Sequence, residues 1–408
     1  MVAGSARRSL ERVCDAPAVR ICVVYDCLFP YTVGGAERWY RNVAERLAGE
    51  GHDVTYVTLR QWPRGAPIEI DPRVRVITAG PRMGLYRAGG RRKILPPLVF
   101  GAGVLAHLIR HGRRYDVVHT ASFPYFSLLA ASAVRRRGGY TVVVDWHEVW
   151  SRAYWRQYLG AAGGGVGYLV QLLCVRVRQR AFCFSALHAA RLKSEGLRGT
   201  VRVLEGEYRG PLAPAEPRAV APNVVFAGRL IPEKRVELAV AAVVAAALEL
   251  EGLRATFFGD GPQRELLARA IEQSGLGDRL SAPGFVDAAT LESALAGAMC
   301  MLSTSQREGY GMIVIEAAAQ ATPSVVVAGE DNAAVELVQE GVNGFVVPMA
   351  EVEAVARAIV RTHEAGLELR RSTARWFSEN ARRLSLESSL EQVLASYAEA
   401  LGPASARE

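Results

Sequence analysis

In this 408-residue chain, the residue types and spacing best suited to chemistry occur at Arg307-Glu308-Gly309-Tyr310-Gly311-Met312-Ile313-Val314-Ile315-Glu316. Two carboxylates stand eight positions apart, with two glycines and the start of a helical pattern between them. The apolar run Ala298–Ser305 upstream reads as a strand, and Ala317-Ala318-Ala319 downstream continues the helix. Glu308 therefore falls on a strand-to-helix loop, and Glu316 about one turn into the helix. Unpaired backbone N–H groups at a helix start attract phosphate. Carboxylates beside them accept hydrogen bonds from sugar hydroxyls. A ligand carrying both phosphate and sugar matches this element.

A second group follows a strand in the same half, at Phe226-Ala227-Gly228-Arg229-Leu230-Ile231-Pro232-Glu233-Lys234-Arg235. Arg229 and Lys234 could neutralise a diphosphate, the arginine through a forked contact. The plainer alternative is a solvated loop with a basic helix start. Near the N-terminus, Gly34-Gly35-Ala36-Glu37-Arg38 opens a helix, and paired glycines let a ligand approach its N–H groups. Neither a G-x-G-x-x-G dinucleotide fingerprint nor a G-x-x-x-x-G-K-[ST] phosphate loop is present. His147, in Asp145-Trp146-His147-Glu148, ends a strand, where an imidazole can hydrogen-bond or shuttle protons. His119 also ends a strand and reads as structural. Gly259-Asp260-Gly261-Pro262 reads as a turn that shapes a pocket. With no Asp-x-Asp and no ligand spacing among the seven histidines, neither a metal nor another cofactor is expected.

These residues need a scaffold that presents strand ends to a cleft. After a polar tail over residues 1–16, apolar strands and helices alternate: strands near 19–25, 54–58, 74–77, 116–119, 141–145, 181–184 and 201–204, with a helix over 36–47. The stretch Gly210-Pro211 to Pro217 reads as a linker. Alternation then resumes with strands near 223–227, 256–259, 280, 299–303 and 324–327. Helices are expected over 236–251, 262–274, 288–298 and 312–320, and helices end the chain. This predicts two doubly wound α/β domains, residues 17–209 and 210–383, with ligands beyond the carboxyl ends of the strands. Half the residues are hydrophobic, which excludes global disorder. Six scattered cysteines without a C-x-x-C pair favour free thiols in a cytoplasmic protein. No secretory signal is visible, and the apolar stretch Ile94–Ile109 is too broken for a membrane span.

Charge is uneven. The net of +8 divides into +17 through Glu205 and −9 beyond it. Basic clusters at Arg82, Arg87, Arg91, Arg92 and Lys93, at Arg110, Arg113 and Arg114, and at Arg135–Arg137 surround the apolar 94–109 stretch. This suggests peripheral contact with anionic lipid at the inner face of the cell membrane. The alternative is an ordinary buried helix with solvated ends. No aromatic-basic module supports nucleic-acid binding.

Taken together, the Phe-Ala-Gly-Arg-Leu-Ile-Pro-Glu-Lys-Arg run and the Glu308/Glu316 pair resemble the family-4 glycosyltransferases of the GT-B fold, over nearly the whole chain. The resemblance implies a retaining, metal-independent transferase that moves a sugar from a nucleotide-diphosphate-sugar donor to a lipid-linked glycan, polysaccharide precursor or small-molecule acceptor. It implies Glu308 and His147 at the reacting sugar, Glu316 on the ribose, and Arg229 and Lys234 on the diphosphate. It also implies Gly311, Met312 and Ile313 as backbone donors, Gly35 as a closing loop, and Phe285 and Val286 at the nucleobase. The final helix, about residues 384–408, would cross back onto the first domain. Many relatives carry an Asn-Gly turn where this chain reads Leu204-Glu205-Gly206-Glu207-Tyr208, so no contact of that turn is carried over. Rival readings are a sugar-nucleotide epimerase or a phosphorylase on a similar scaffold, and a non-catalytic sugar-nucleotide-binding protein. A phosphorylase would need a cofactor lysine, and only Lys93, Lys193 and Lys234 exist.

Overall fold

The computed structural model describes residues 18–32, 34–85 and 92–402. The N-terminal tail, Arg87 and Arg91 lie outside these residues. The first domain runs β1 (Arg20–Val24), α1 (Gly35–Gly49), β2 (Asp53–Thr58), β3 (Arg75–Thr78), α2 (Leu95–His111), β4 (Val117–Ala121), α3 (Tyr125–Gly138), β5 (Thr141–Trp146), α4 (Arg152–Val175), β6 (Arg178–Cys183), α5 (Ala186–Ser194) and β7 (Arg198–Val203). The second runs β8 (Asn223–Ala227), α6 (Val236–Ala246), β9 (Arg254–Phe258), α7 (Arg264–Gln273), β10 (Leu280–Gly284), α8 (Ala288–Ala296), β11 (Cys300–Ser303), β12 (Arg307–Glu308), α9 (Met312–Ala319), β13 (Ser324–Val327), β14 (Asp331–Asn332), β15 (Gly344–Val347), α10 (Val352–Asn380) and α11 (Leu386–Leu401).

Two parallel sheets result, ordered β3-β2-β1-β4-β5-β6-β7 and β10-β9-β8-β11-β13-β15. Their central strands are buried along nearly their whole length, as Ile21–Val24 and Val142–Val144 illustrate. Continuous Val/Ile runs suit a sheet covered on both faces, because neither face meets water. On α1, Trp39, Tyr40, Val43 and Leu47 are buried, at the helical spacing the sequence shows.

Three local expectations are corrected. α6 ends at Ala246, and Leu248 beyond it is 87% exposed, because the chain turns there to reach β9. β15 adds a strand beyond β13; four residues are too few to show a period in sequence. The expected loop at Glu308 contains a short pairing, Arg307 opposite Asp331 and Glu308 opposite Asn332, which holds the loop against the segment after β13.

After α10 the chain returns to the first domain. Tyr208 N–H donates to Leu384 O at 3.0 Å, and Leu386 N–H donates to Tyr208 O at 2.8 Å. Tyr397, fully buried on α11, places its hydroxyl 2.6 Å from His119 Nδ1. His119 Nε2 lies 2.8 Å from Asp145 Oδ1, and Trp39 Nε1–H donates to Asp145 Oδ2 at 2.7 Å. Burial opposes ionisation of Asp145, but the His119 ring and the Trp39 N–H outweigh it and hold the carboxyl below its usual range. Nδ1 and the Tyr397 hydroxyl share one hydrogen bond, and Nε2 stands beside the carboxylate. His119 is thus a structural link from α11 to β5. Tyr397→Phe leaves Nδ1 without its hydrogen-bond partner in a dry site and is expected to cost about 1–3 kcal/mol. Urea unfolding checks this; an unchanged midpoint would mean that the bond does not contribute.

Candidate functional site

Helices of a parallel sheet run back against their strands, so the carboxyl ends of strands and the starts of helices gather at one end of each domain. Those ends face each other here. A cavity of about 400 Å³ between them is lined by Gly35, His147, Glu207, Arg229, Glu308, Gly311 and Met312, among others. An adjoining cavity of about 230 Å³ shares Gly35, Glu207 and Met312 and adds Arg38, Glu292 and Glu316. Most sequence-predicted residues are therefore brought to one continuous cleft. Phe285 and Val286 line neither cavity. They sit between β10 and α8, and Phe285 is 72% exposed. Ile313 also lies outside both linings.

The turn before α9 depends on two glycines. Gly311 has φ +107°, and a Cβ there would lie 2.6 Å from Ala334 Cβ. A Cβ on Gly309 would lie 2.5 Å from the His147 carbonyl oxygen, so the glycine lets the two domains' backbones approach. This approach sets Glu308 beside the strand end that carries His147. No side chain caps α9 at Gly311, so its first N–H groups open toward the cavity. Glu308 is in contact with Lys234 and accepts from Ser305 Oγ at 2.9 Å. Arg229 is exposed and makes no ion pair with the described residues.

His147 stacks on Phe184, with ring centroids 4.5 Å apart, and its Nε2 is buried without a partner among the described residues. Burial lowers its pKa to about 4, with Asp145 only partly opposing, so the ring is neutral at neutral pH. Burial likewise raises Glu316, against the pull of Arg38. Burial also raises Glu37, whose carboxylate folds back over the start of α1; a Cβ at Gly34 would meet Glu37 Oε2 at 2.3 Å.

Two features escaped the sequence reading. The first is Arg307, which reaches from β12 into the other domain. It contacts Glu148, and its guanidinium lies 5.0 Å from the Trp150 ring centroid and 4.5 Å from that of Tyr154. Tyr154 hydroxyl donates to Glu233 Oε1 at 2.8 Å, Ser151 Oγ donates to Asp331 Oδ2 at 3.1 Å, and Arg191 contacts Asp331. The Glu336 carboxylate accepts the Ala186 and Leu187 N–H groups at 2.8 and 2.7 Å, capping a helix of the opposite domain. Partners so distant in sequence leave no spacing signal. The second feature is Glu207, which lines both cavities at the departure from the family's Asn-Gly turn. Burial, aided by Asp145, pushes its carboxyl up to about 7.

Among the described residues, no three His, Cys, Asp or Glu side chains converge as metal ligands. A wider hollow of about 1270 Å³ at the amino ends of β5–β7 is rimmed by Arg135, Arg136, Arg176, Arg178 and Arg198, at the far end of the sheet from the cleft.

A raised carboxyl pKa favours the protonated folded state, so stability falls as pH climbs from the unfolded value of 4.5 through about 7. Glu207→Gln is therefore expected to stabilise the protein by about 1–3 kcal/mol near pH 8 and hardly at all near pH 4. Paired urea titrations at the two pH values check this; an equal shift at both would refute a carboxyl held neutral by burial.

Comparison with known proteins follows the same division. Residues 33–206 match the model for Glycosyltransferase Family 4, and residues 216–384 match that for Glycosyl transferases group 1. The alpha-D-kanosaminyltransferase of Streptomyces kanamyceticus is 32% identical over 142 residues, 34% of this chain and 36% of that one. This chain spans 14–36% of the length of the first three curated relatives it matches. Sucrose-phosphate synthase from Thermosynechococcus elongatus superimposes with a TM-score of 0.74 at 20% identity, over 93% of this chain and 98% of that one. Anabaena HepE in complex with UDP superimposes with a TM-score of 0.69 at 18% identity, over 93% and 100%. Two paired family models across two facing parallel-sheet domains place this chain among the family-4, group 1 glycosyltransferases of the GT-B fold.

Proposed function

We propose that the protein transfers a sugar, with retained anomeric configuration, from a nucleotide-diphosphate-sugar donor to an acceptor hydroxyl, without a metal ion. One observation carries this reading: the cleft gathers His147, Arg229, Glu308 and the open start of α9 from both domains, and continues into the cavity holding Glu316. The HepE complexes with UDP and with UDP-glucose, a protein of this fold, make a uridine donor the first to test.

In this reading the ribose hydroxyls meet Glu316, and burial of that carboxylate strengthens each hydrogen bond it accepts. The diphosphate lies across the first N–H groups of α9, with Arg229 beside it. Lys234 moves from Glu308 toward the phosphates when these arrive, because a diphosphate carries more negative charge than one carboxylate. Glu308, released, accepts from hydroxyls of the donor sugar. His147, neutral at working pH, can donate one hydrogen bond to that sugar without placing a cation beside the electron-poor anomeric carbon. The bond from the anomeric carbon to the β-phosphate oxygen breaks, and the acceptor oxygen bonds to the same face of that carbon. The acceptor's proton passes to the departing phosphate oxygen. Positive charge from Arg229, Lys234 and the helix start stabilises the leaving diphosphate, a role that needs no divalent ion.

Glu308→Gln is expected to lower kcat about a hundredfold while leaving donor binding within a few-fold. Glu316→Gln is expected to raise the donor KM about tenfold with a smaller loss of kcat. Steady-state kinetics with a labelled donor separates the two; equal, negligible effects would sink the assignment. A panel of nucleotide sugars in a thermal-shift assay identifies the donor, since ligand binding raises Tm with affinity. No shift from any donor would overturn the reading.

A further inference from the structure

The first domain carries a second concavity that the donor does not explain. A groove of about 430 Å³ lies between α2, α3 and α4 and is lined by apolar side chains, including Pro97, Phe126, Leu159, Val166 and Val170. It shares Phe123, Tyr125 and Trp150 with the catalytic cavity, so the two spaces meet at one aromatic wall. Phe123 and Trp150 stack at 6.3 Å, and Trp150 also carries Arg307 on its ring. Arg92 and Lys93 stand at the groove's edge, with Arg92 4.9 Å from the Phe123 centroid.

The surface around the groove is unusual in the same way. α4 breaks at Gly160 (φ +77°); beyond the break Val166, Leu169 and Leu173 are 50–64% exposed at helical spacing along one outward stripe, and Leu159 just before it is 40% exposed. On α2, Leu95, Leu98 and Ile109 are exposed too, with Ile94 just before it. α4 is long and apolar enough to cross a membrane, yet Trp155, Gln171, Cys174 and Val175 are buried against the first domain. A helix packed on α3 along one side can lie in a bilayer surface with its other side. Neither α2, α3 nor α4 contains an Asp or Glu. Arginines stand at both ends of the stripe: Arg152 and Arg156 near the cleft, Arg110, Arg113, Arg114, Arg135–Arg137 and Arg176 at the far end. An apolar band flanked by cations and free of carboxylates complements an anionic bilayer.

We infer that this groove holds the hydrocarbon chain of a membrane-resident, anionic acceptor, which docks through the α2–α4 face and presents its reacting hydroxyl to the catalytic cavity. This inference rests on the transferase reading above and names its acceptor class as lipid-linked. Continuity with the cleft selects a molecule with a polar reactive end and an apolar tail. Exposed Lys93 at the groove's edge suits an anionic group, such as a phosphate, between the two, while Arg92 beside it is paired with Asp26.

The groove brings its own reporters, because Trp150 and Trp155 line it. Vesicles of phosphatidylcholine with about a quarter phosphatidylglycerol, in which the phosphatidylcholine carries brominated acyl chains, quench indoles that touch those chains. Brominated vesicles are expected to quench the protein's tryptophan emission beyond unbrominated ones, and Trp155→Phe to remove part of that excess. Val166→Glu with Leu169→Glu, both at exposed sites, is expected to weaken vesicle binding about tenfold or more. The donor-dependent thermal shift should be unchanged by that pair. Vesicle binding without excess quenching would show adhesion only and overturn the groove assignment. So would the absence of vesicle binding, or self-association that Val166→Glu abolishes, which would make the stripe an interface between copies. In each of these cases a retained donor shift leaves the transferase reading standing, whereas a lost donor shift in the parent protein strikes that reading first.

Discussion

Arg307 is the contact on which the cleft depends. It crosses from the second domain and buries its guanidinium between the Trp150 and Tyr154 rings, against Glu148. A charge in that position is tolerable only because a carboxylate and two ring faces replace its water. Its neighbour in sequence is Glu308. Fixing Arg307 therefore fixes Glu308, and the missing Cβ of Gly309 lets the loop settle against the His147 carbonyl. Asp331, paired in register with Arg307, repeats the link through Ser151 and Arg191. The polar contacts of this seam sit beside an apolar core that runs through both domains.

Within that seam, water exclusion sets the electrostatics. The same burial that neutralises His147 raises Glu37, Glu207 and Glu316. Burial disfavours the charged form of each of these carboxyls, and so lessens the negative charge lining the cleft. Arg229 and the open start of α9 face the same cavity. Glu308 stays in contact with Lys234, a pairing that the diphosphate would have to compete for.

α11 ties the two halves covalently as well as physically. It follows the second domain's last helix yet packs on the first, through Tyr397, His119 and the Tyr208 to Leu386 backbone bonds. The two chain crossings between the domains lie side by side, near Tyr208 and Ser385. Glu207 adjoins these crossings and lines both cavities.

Much of this was legible in the chain itself. Uninterrupted Val/Ile runs specify buried parallel strands, since only a doubly covered sheet hides both faces of each. Glycines and prolines at the run ends mark the turns, and carboxylates and cations placed just beyond those ends mark the residues that line the cleft. Such signals are local, so sequence spacing records them. The aromatic clamp on Arg307, the Glu336 cap on α5, the shift of Glu207 and the groove beside Trp150 are different in kind. The Arg307 and Glu336 contacts join groups 149 to 159 positions apart that meet only when the two domains pack, and the groove exists only once three helices of the first domain come together. No period records such a meeting. Desolvation, too, belongs to the assembled cleft: the types of Glu207 and His147 are written in the chain, but their protonation follows from the water that tertiary packing removes.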